Sequence, residues 1–333
     1  MRISRSAGLS RVSARGCQPA FFPTTSIRAP NSLTRFTTRE IARVIVVLLC
    51  VAMLPVSCGP PRRDTIVIGS KNFTEQAILG ELLAQHLEAR IHLHVVRRFY
   101  LVGTYICQQA LLAGRIDTYV EYTGTALTAI LKEPVVTSPS MVREEVREEY
   151  ARRFNLEVLP PLGFNNTFAM VIRGEDARAL GIHTLSEAAP HAGHWRAGFG
   201  YEFTERPDGY PGLAATYGLH FAAPPRVMDL GLMYRSLLDK QVDIVAGNST
   251  DGILAARDLT ILQDDRHYFP PYEAVPIVRH ETLEQHPEIR AALAGLAGKI
   301  SGAEMQKMNY SVDGEHRDIG VVVRAFLHDK GLK

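Results

Sequence analysis

TIVIGSKNFTEQAILGELLAQHLE, residues 65–88, decides the fold class. Thr65–Gly69 is a short apolar run that ends in glycine, the pattern of a buried strand. From Phe73, apolar side chains recur at Ala77, Ile78, Leu82, Leu83 and Leu87, a helical spacing that predicts a helix over 73–88. Asn72, with Glu75 three residues on, reads as a capping-box helix start. Gly69, Ser70, Lys71 and Asn72 fill the turn between them. Free backbone N–H groups, the positive end of a helix dipole and a lysine together make an anion site. A glycine turn with a solvated lysine is the plainer alternative.

Outward from this unit the alternation continues. His92–Arg98 reads as a strand, Thr104–Ala113 as a helix stopped by Gly114, Ile116–Glu121 as a strand and Gly124–Leu131 as a short helix. The β-α-β-α-β order predicts a parallel sheet with crossover helices. Met141–Phe154 is a charged surface helix. Further strands are expected at Leu156–Leu159, Phe168–Ile172, Arg196–Gly200, Val242–Ala246 and Leu259–Leu262. Helices are expected from Thr184 and over Asp229–Asp239, and the chain from Glu281 onward reads as helical. Two α/β halves predict two lobes, and ligands of open parallel sheets bind beyond the carboxyl ends of the strands.

The loops after those strands hold the candidate residues. Tyr122-Thr123-Gly124-Thr125 places an aromatic face and a hydroxyl at a helix start; a core tyrosine with a threonine cap is the alternative. Arg206 can clamp a carboxylate with two parallel N–H groups, or pair at the surface with Glu205 or Asp208. In Phe269-Pro270-Pro271-Tyr272 two prolines fix a rigid crossing and aim Tyr272, unless the segment is an edge loop.

Composition bounds the function. The chain has 333 residues, about two domains at roughly 150 each. It is 46% hydrophobic and 22% charged, ordinary globular values. Eight arginines and one acid fall in residues 1–58, which leaves 29 bases against 34 acids, about −5, in the remainder. An acidic body argues against nucleic acid as a partner.

Val44–Leu54 is an apolar run of eleven residues behind Arg35, Arg39 and Arg43, where a membrane span needs about 20. Residues 1–58 are therefore expected to be a signal peptide with an N-terminal extension. Ser57-Cys58-Gly59 at its end resembles a bacterial lipoprotein cleavage site, with Cys58 as the lipidated first residue; soluble secretion and an uncleaved anchor are the alternatives. Cys107 would then be the lone body cysteine, and in its apolar helix it reads as a buried small hydrophobe.

Signals for covalent chemistry are weak. There is no G-x-S-x-G elbow and no phosphate-loop lysine motif. His92 and His94 share a strand face without further ligands at metal spacing. Ser249, Thr250 and Asp251 have no histidine at a recognisable distance in sequence. No catalytic residue, metal or cofactor is expected.

At these positions a resemblance becomes specific. GSKNFTEQAILGELLAQHLE, ALLAGRIDTYVEYTGTALTAILK, GFNNTFAMVIR, ERPDG, NSTDGILAARDLTILQDD and YFPPYEAVPIV closely resemble, in order, the glycine betaine/choline/proline-betaine binding proteins of ABC transporters, over roughly residues 65–330. The resemblance implies an α/β, two-lobed periplasmic-binding-protein fold of type II, each lobe a mostly parallel sheet flanked by helices. It implies lobe I at 59–165 and 270–333, lobe II at 166–269, and crossings near Asn166 and Phe269. It implies a monomer that binds a zwitterion or cation outside the cytoplasm and hands it to permease subunits; the Cys58 reading adds attachment to a membrane by its lipid. Lys71, Arg206 and Thr125 fall on the positions that hold the ligand's carboxylate. Tyr122 and Tyr272 fall on two positions of the aromatic cage, which selects trimethylammonium by cation–π contact and shape. Phe168 and Asn248 stand at the other two, where tyrosine is usual. Arg206 truncation is expected to cost binding and little stability. A ligand-binding sensor and an extracytoplasmic hydrolase using Ser249 or Asp251 are the rival functions.

Overall fold

The structure, a computed structural model, describes residues 64–332. Cys58 and the rest of the export segment lie outside the described residues. Two five-stranded sheets form the body. The first holds β1 (Thr65–Gly69), β2 (His94–Arg98), β3 (Thr118–Tyr122), β4 (Leu156–Val158) and β10 (Ala274–Arg279), in the order β2-β1-β3-β10-β4. The second holds β5 (Phe168–Arg173), β6 (Ala197–Phe199), β7 (Arg226–Val227), β8 (Ile244–Asn248) and β9 (Leu259–Leu262), in the order β7-β6-β8-β5-β9.

Each sheet contains one strand that runs against the rest, β10 in the first and β5 in the second. The remaining pairings are parallel. The exception has a topological cause. The chain passes between lobes twice, after β4 and after β9, and both strands point at the interlobe edge. A chain entering a sheet at that edge can only run away from it, antiparallel to its neighbours. The two passages pair with each other: Asn165 bridges Glu273, Asn166 N–H donates to Tyr272 O at 3.0 Å, and Ala274 N–H to Phe164 O at 3.2 Å.

Both faces of the first sheet are covered, as a parallel βαβ sheet requires. Ile66 and Ile68 pack with Leu79, Leu82 and Leu83 of the Thr74–Arg90 helix on one side. Val67 packs with Leu111, Tyr119 and buried Cys107 on the other, and burial pushes the Cys107 thiol up to about 12. The second sheet is likewise filled from both sides, by Met170, Ile172, Phe199 and Ile244 on one and by Val171, Val245 and Leu237 on the other.

Local chemistry departs from the sequence reading at three places. The Thr74–Arg90 helix has extended Phe73 as its cap and no capping hydrogen bond, because Glu75 turns into a buried network instead. The segment after β3 starts as a helix at Thr123–Thr125 and widens to a π-helix over Ala126–Leu131. Tyr201–Glu205, where no element was expected, is a helix. No helix among the described residues is long and apolar enough to cross a membrane.

Gly163 opens the first passage with φ +121, and an added Cβ would stand 2.7 Å from Ile300 O and 2.9 Å from Gly298 Cα. Gly163→Ala should therefore cost about 1–3 kcal/mol, read as a lower urea midpoint at unchanged slope. An unchanged midpoint would contradict this packing.

Candidate functional site

A cavity of about 680 Å³ lies between the lobes, at the carboxyl ends of the parallel strands. All seven residues singled out in the sequence line it: Lys71, Tyr122, Thr125, Phe168, Arg206, Asn248 and Tyr272. Lys71 follows β1, Tyr122 ends β3, and Phe168 opens β5 directly opposite Asn248 at the end of β8. Tyr272 stands on the second passage, against the Thr123–Thr125 helix start. Gly124 makes that contact possible, since a Cβ there would lie 2.8 Å from both Pro271 O and the Tyr272 ring.

Two cations point into this space, and neither is alone. Lys71 is 3% exposed, and its Nζ is ion-paired with fully buried Glu121. Glu121 also accepts from Tyr119 Oη at 3.0 Å and from Tyr122 N–H at 2.8 Å. Arg206 is 3% exposed, and its Nε donates to Asp208 Oδ1 at 2.9 Å. Its Nη2 donates to Asp208 Oδ2 and, at 3.1 Å, across the cleft to Thr125 Oγ1. Burial works against the Arg206 charge, but the Asp208 carboxylate outweighs it and raises the guanidinium's pKa. Arg206 is thus a buried clamp already holding an acid, and the surface pairing considered for it does not occur.

The same cations lie over aromatic faces. Lys71 Nζ is 5.1 Å from the Tyr122 centroid, and Arg206 Cζ is 5.1 Å from that of Phe168. Phe168 in turn meets Phe203 at 4.8 Å and Tyr272 at 5.7 Å, ring centre to ring centre, both edge to face. The walls of the cavity are therefore already arranged as cation–π surfaces.

Glu202 joins the lobes at the mouth. Its carboxylate accepts from Thr104 N–H at 2.7 Å and Thr104 Oγ1 at 3.1 Å, at the start of the Thr104–Leu112 helix. The rim carries exposed apolar side chains on both sides, Val102 and Ile106 facing Tyr201 and Val227.

Asn248 forms the polar wall. Its backbone N–H donates to Asp251 Oδ2 at 2.8 Å and its Nδ2 to Asp251 Oδ1 at 3.4 Å. Asp251 also accepts from Tyr234 Oη at 2.6 Å, and burial pushes its carboxyl up to about 6. Ser249 bonds to Thr167 N–H and to Asn166. No histidine is among the hydrogen-bond partners of Ser249 or Asp251 in the described residues. His94 is exposed and His92 precedes β2, and the described residues contain no cluster able to hold a metal.

Sequence reasoning named Asp208 only as a surface partner of Arg206 and missed the other acids behind the site. Glu121 adjoins Tyr122 and Asp208 lies two residues after Arg206, so proximity was the available signal. Glu202 and Glu75 gave none, because their partners are distant in sequence.

The described fold has counterparts. A family model described as the substrate binding domain of ABC-type glycine betaine transport system matches residues 64–329. The carnitine transport binding protein of Listeria monocytogenes is 33% identical over 296 residues, 86% of this chain and 95% of that protein. The ergothioneine transport permease/ergothioneine binding protein of Helicobacter pylori is 33% identical over 294 residues, 88% of this chain; the chain spans about half of that protein, 52%. A crystal structure titled glycine betaine/carnitine/choline ABC transporter superposes with a TM-score of 0.67 at 33% identity, covering 80% of this chain and 99% of that one.

Arg206→Ala would leave Asp208 buried without its cation, and breaking a buried pair costs about 3–5 kcal/mol. The stability loss should be plain in urea denaturation of the ligand-free protein, contrary to the expectation from sequence; a midpoint within error of wild type would refute the pairing. Asp251 makes a second prediction. Its folded pKa, raised to about 6 from 3.8, makes its contribution to stability largest below the unfolded value and progressively lost as pH rises toward 6. Asp251→Asn removes that slope, so the variant should gain on wild type by up to about 3 kcal/mol between pH 4 and 7. Parallel stability profiles would show that Asp251 titrates normally.

Proposed function

Because the chain belongs to the family of substrate-binding domains of ABC-type glycine betaine transport systems, we propose that its interlobe cavity captures a small quaternary ammonium compound of the glycine betaine, choline or carnitine class. The observation that carries this reading is the cavity wall, where Tyr122, Phe168 and Tyr272 converge and two of the three rings already have cations over their faces. A trimethylammonium group has no proton to donate, so such faces are what can recognise it. Lys71, Arg206 and Thr125 supply donors for a carboxylate at the other end of the ligand.

Charge supports a zwitterion in particular. Lys71 with Glu121, and Arg206 with Asp208, are two neutral pairs. A ligand that carries both charges enters without unbalancing either pair. In this reading lobe I is 59–165 and 270–333, lobe II is 166–269, and ligand-driven closure presents both lobes to the permease. Cys58 is the lipidated first residue of a mature monomer, anchored outside the cytoplasm, and the protein performs no covalent step.

Isothermal calorimetry of the mature protein with glycine betaine, choline and carnitine tests the assignment: at least one should bind one-to-one, and Tyr272→Ala should abolish the heat. Binding of none of the three would end it. Asn248→Tyr should restore a fourth ring, and with a cation–π contact worth about 0.5–2 kcal/mol, tighten the bound trimethylammonium ligand by roughly 2- to 30-fold. If the variant binds no tighter, the cage is complete without position 248.

A further inference from the structure

Each of the two cage tyrosines gives its phenol proton to a buried acid. Tyr122 Oη donates to Glu75 Oε1 at 2.6 Å, and Tyr272 Oη donates to Asp208 Oδ2 at 2.6 Å. All four residues are buried. Burial, and after it the adjacent carboxylate, holds each phenol's pKa well above the ordinary tyrosine value. The proton therefore stays on the phenol, and each contact is a neutral O–H donating to an acid. Hydrogen bonds to ionised acceptors are short and strong. They draw negative charge onto the donor oxygen and so into the ring, whose π face is what attracts a cation.

Glu75 and Asp208 are not equivalent. Asp208 is matched by Arg206. Among the described residues Glu75 accepts only from neutral groups: Tyr122 Oη, Asn166 Nδ2 at 2.7 Å, Asn309 Nδ2 at 2.9 Å, and Thr250 Oγ1. Both its oxygens carry two donors, the coordination of a carboxylate; burial raises its pKa and these four hydrogen bonds oppose the rise, and no side chain in that set supplies a counter-charge. A cation resting on the Tyr122 face is thus in line to serve as one.

We propose that Glu75, seconded by Asp208, is a specificity-determining positioning residue, which polarises a cage tyrosine through its phenol so that the cavity favours a permanent cation over a neutral group of the same shape. This rests on the quaternary ammonium reading above, and deepens it.

The test compares glycine betaine with 3,3-dimethylbutanoate, in which carbon replaces nitrogen while shape and carboxylate are kept. If choline is the tighter ligand, the pair is choline and 3,3-dimethylbutan-1-ol. Calorimetry gives the ratio of the two affinities for wild type, Glu75→Gln, Tyr122→Phe and the double variant. Wild type should favour the cation. Each single variant should lower the ratio by about 3- to 10-fold, a fraction of one cation–π contact, with the neutral probe's affinity within about twofold of wild type. The double variant should fall little further, since both changes remove one interaction. A loss shared equally by both probes marks Glu75 as merely structural and overturns the proposal, as does an unmoved ratio. If Glu75→Gln does not fold, Tyr122→Phe and Tyr272→Phe decide by the same ratio. A wild type without preference for the cation overturns the quaternary ammonium reading and this proposal together; a preference that the variants leave intact overturns this proposal alone.

Discussion

Four neutral donors from four separate segments converge on the carboxylate of Glu75. Tyr122 comes from the end of β3, Asn166 from the first interlobe passage, Thr250 from the second lobe after β8, and Asn309 from the Gly302–Asp313 helix of the first. An isolated buried charge is costly, and burial raises the Glu75 pKa accordingly, with the four hydrogen bonds working against that rise. The fold accepts the cost at the point where its lobes meet. Asn309 shows how strictly the donors are committed: its nitrogen serves Glu75 and Thr250 O at 2.9 Å each, while its buried Oδ1 has no hydrogen-bond partner in the described residues. One carboxylate therefore sets the place of a cavity wall, the course of a passage and the contact between lobes.

Inside the cavity the same economy of charge recurs. Each inward cation has a buried acid beside it and an aromatic face beneath it. The protein's own cations lie over those faces. A quaternary ammonium zwitterion offers replacements for both halves of each arrangement: its cation for the rings, its carboxylate for the freed donors. Glu202 bonds to the start of the Thr104–Leu112 helix across the cleft and ties the two sides of the mouth together.

Much of this was legible in the residues. The Thr65–Glu88 unit reads as strand, turn and helix because its periodicity changes at Lys71, and the loops after strands hold the cavity residues because parallel topology puts carboxyl ends together. Asn248, opposite Phe168 across the β5–β8 pair, was recognisable by resemblance. What escaped is long-range. Glu75 sits at cap spacing from Asn72, and nothing local shows that it faces Asn309. The antiparallel strands β5 and β10 follow from the two passages, which no single stretch displays. The Tyr201–Glu205 helix is too short for its periodicity to register. Arg206 lines the cavity, but its burial with Asp208 is a tertiary property, which local sequence does not express.

The account's central claim, a quaternary ammonium held on Tyr122, Phe168 and Tyr272 between the lobes, is tested most directly by a crystal structure of the mature protein grown with glycine betaine. The claim predicts the nitrogen within about 6 Å of the ring centroids, with the carboxylate in hydrogen-bond range of Lys71 and Arg206. A ligand turned end for end, with its carboxylate against the aromatic walls, or one bound outside the cavity, would contradict it.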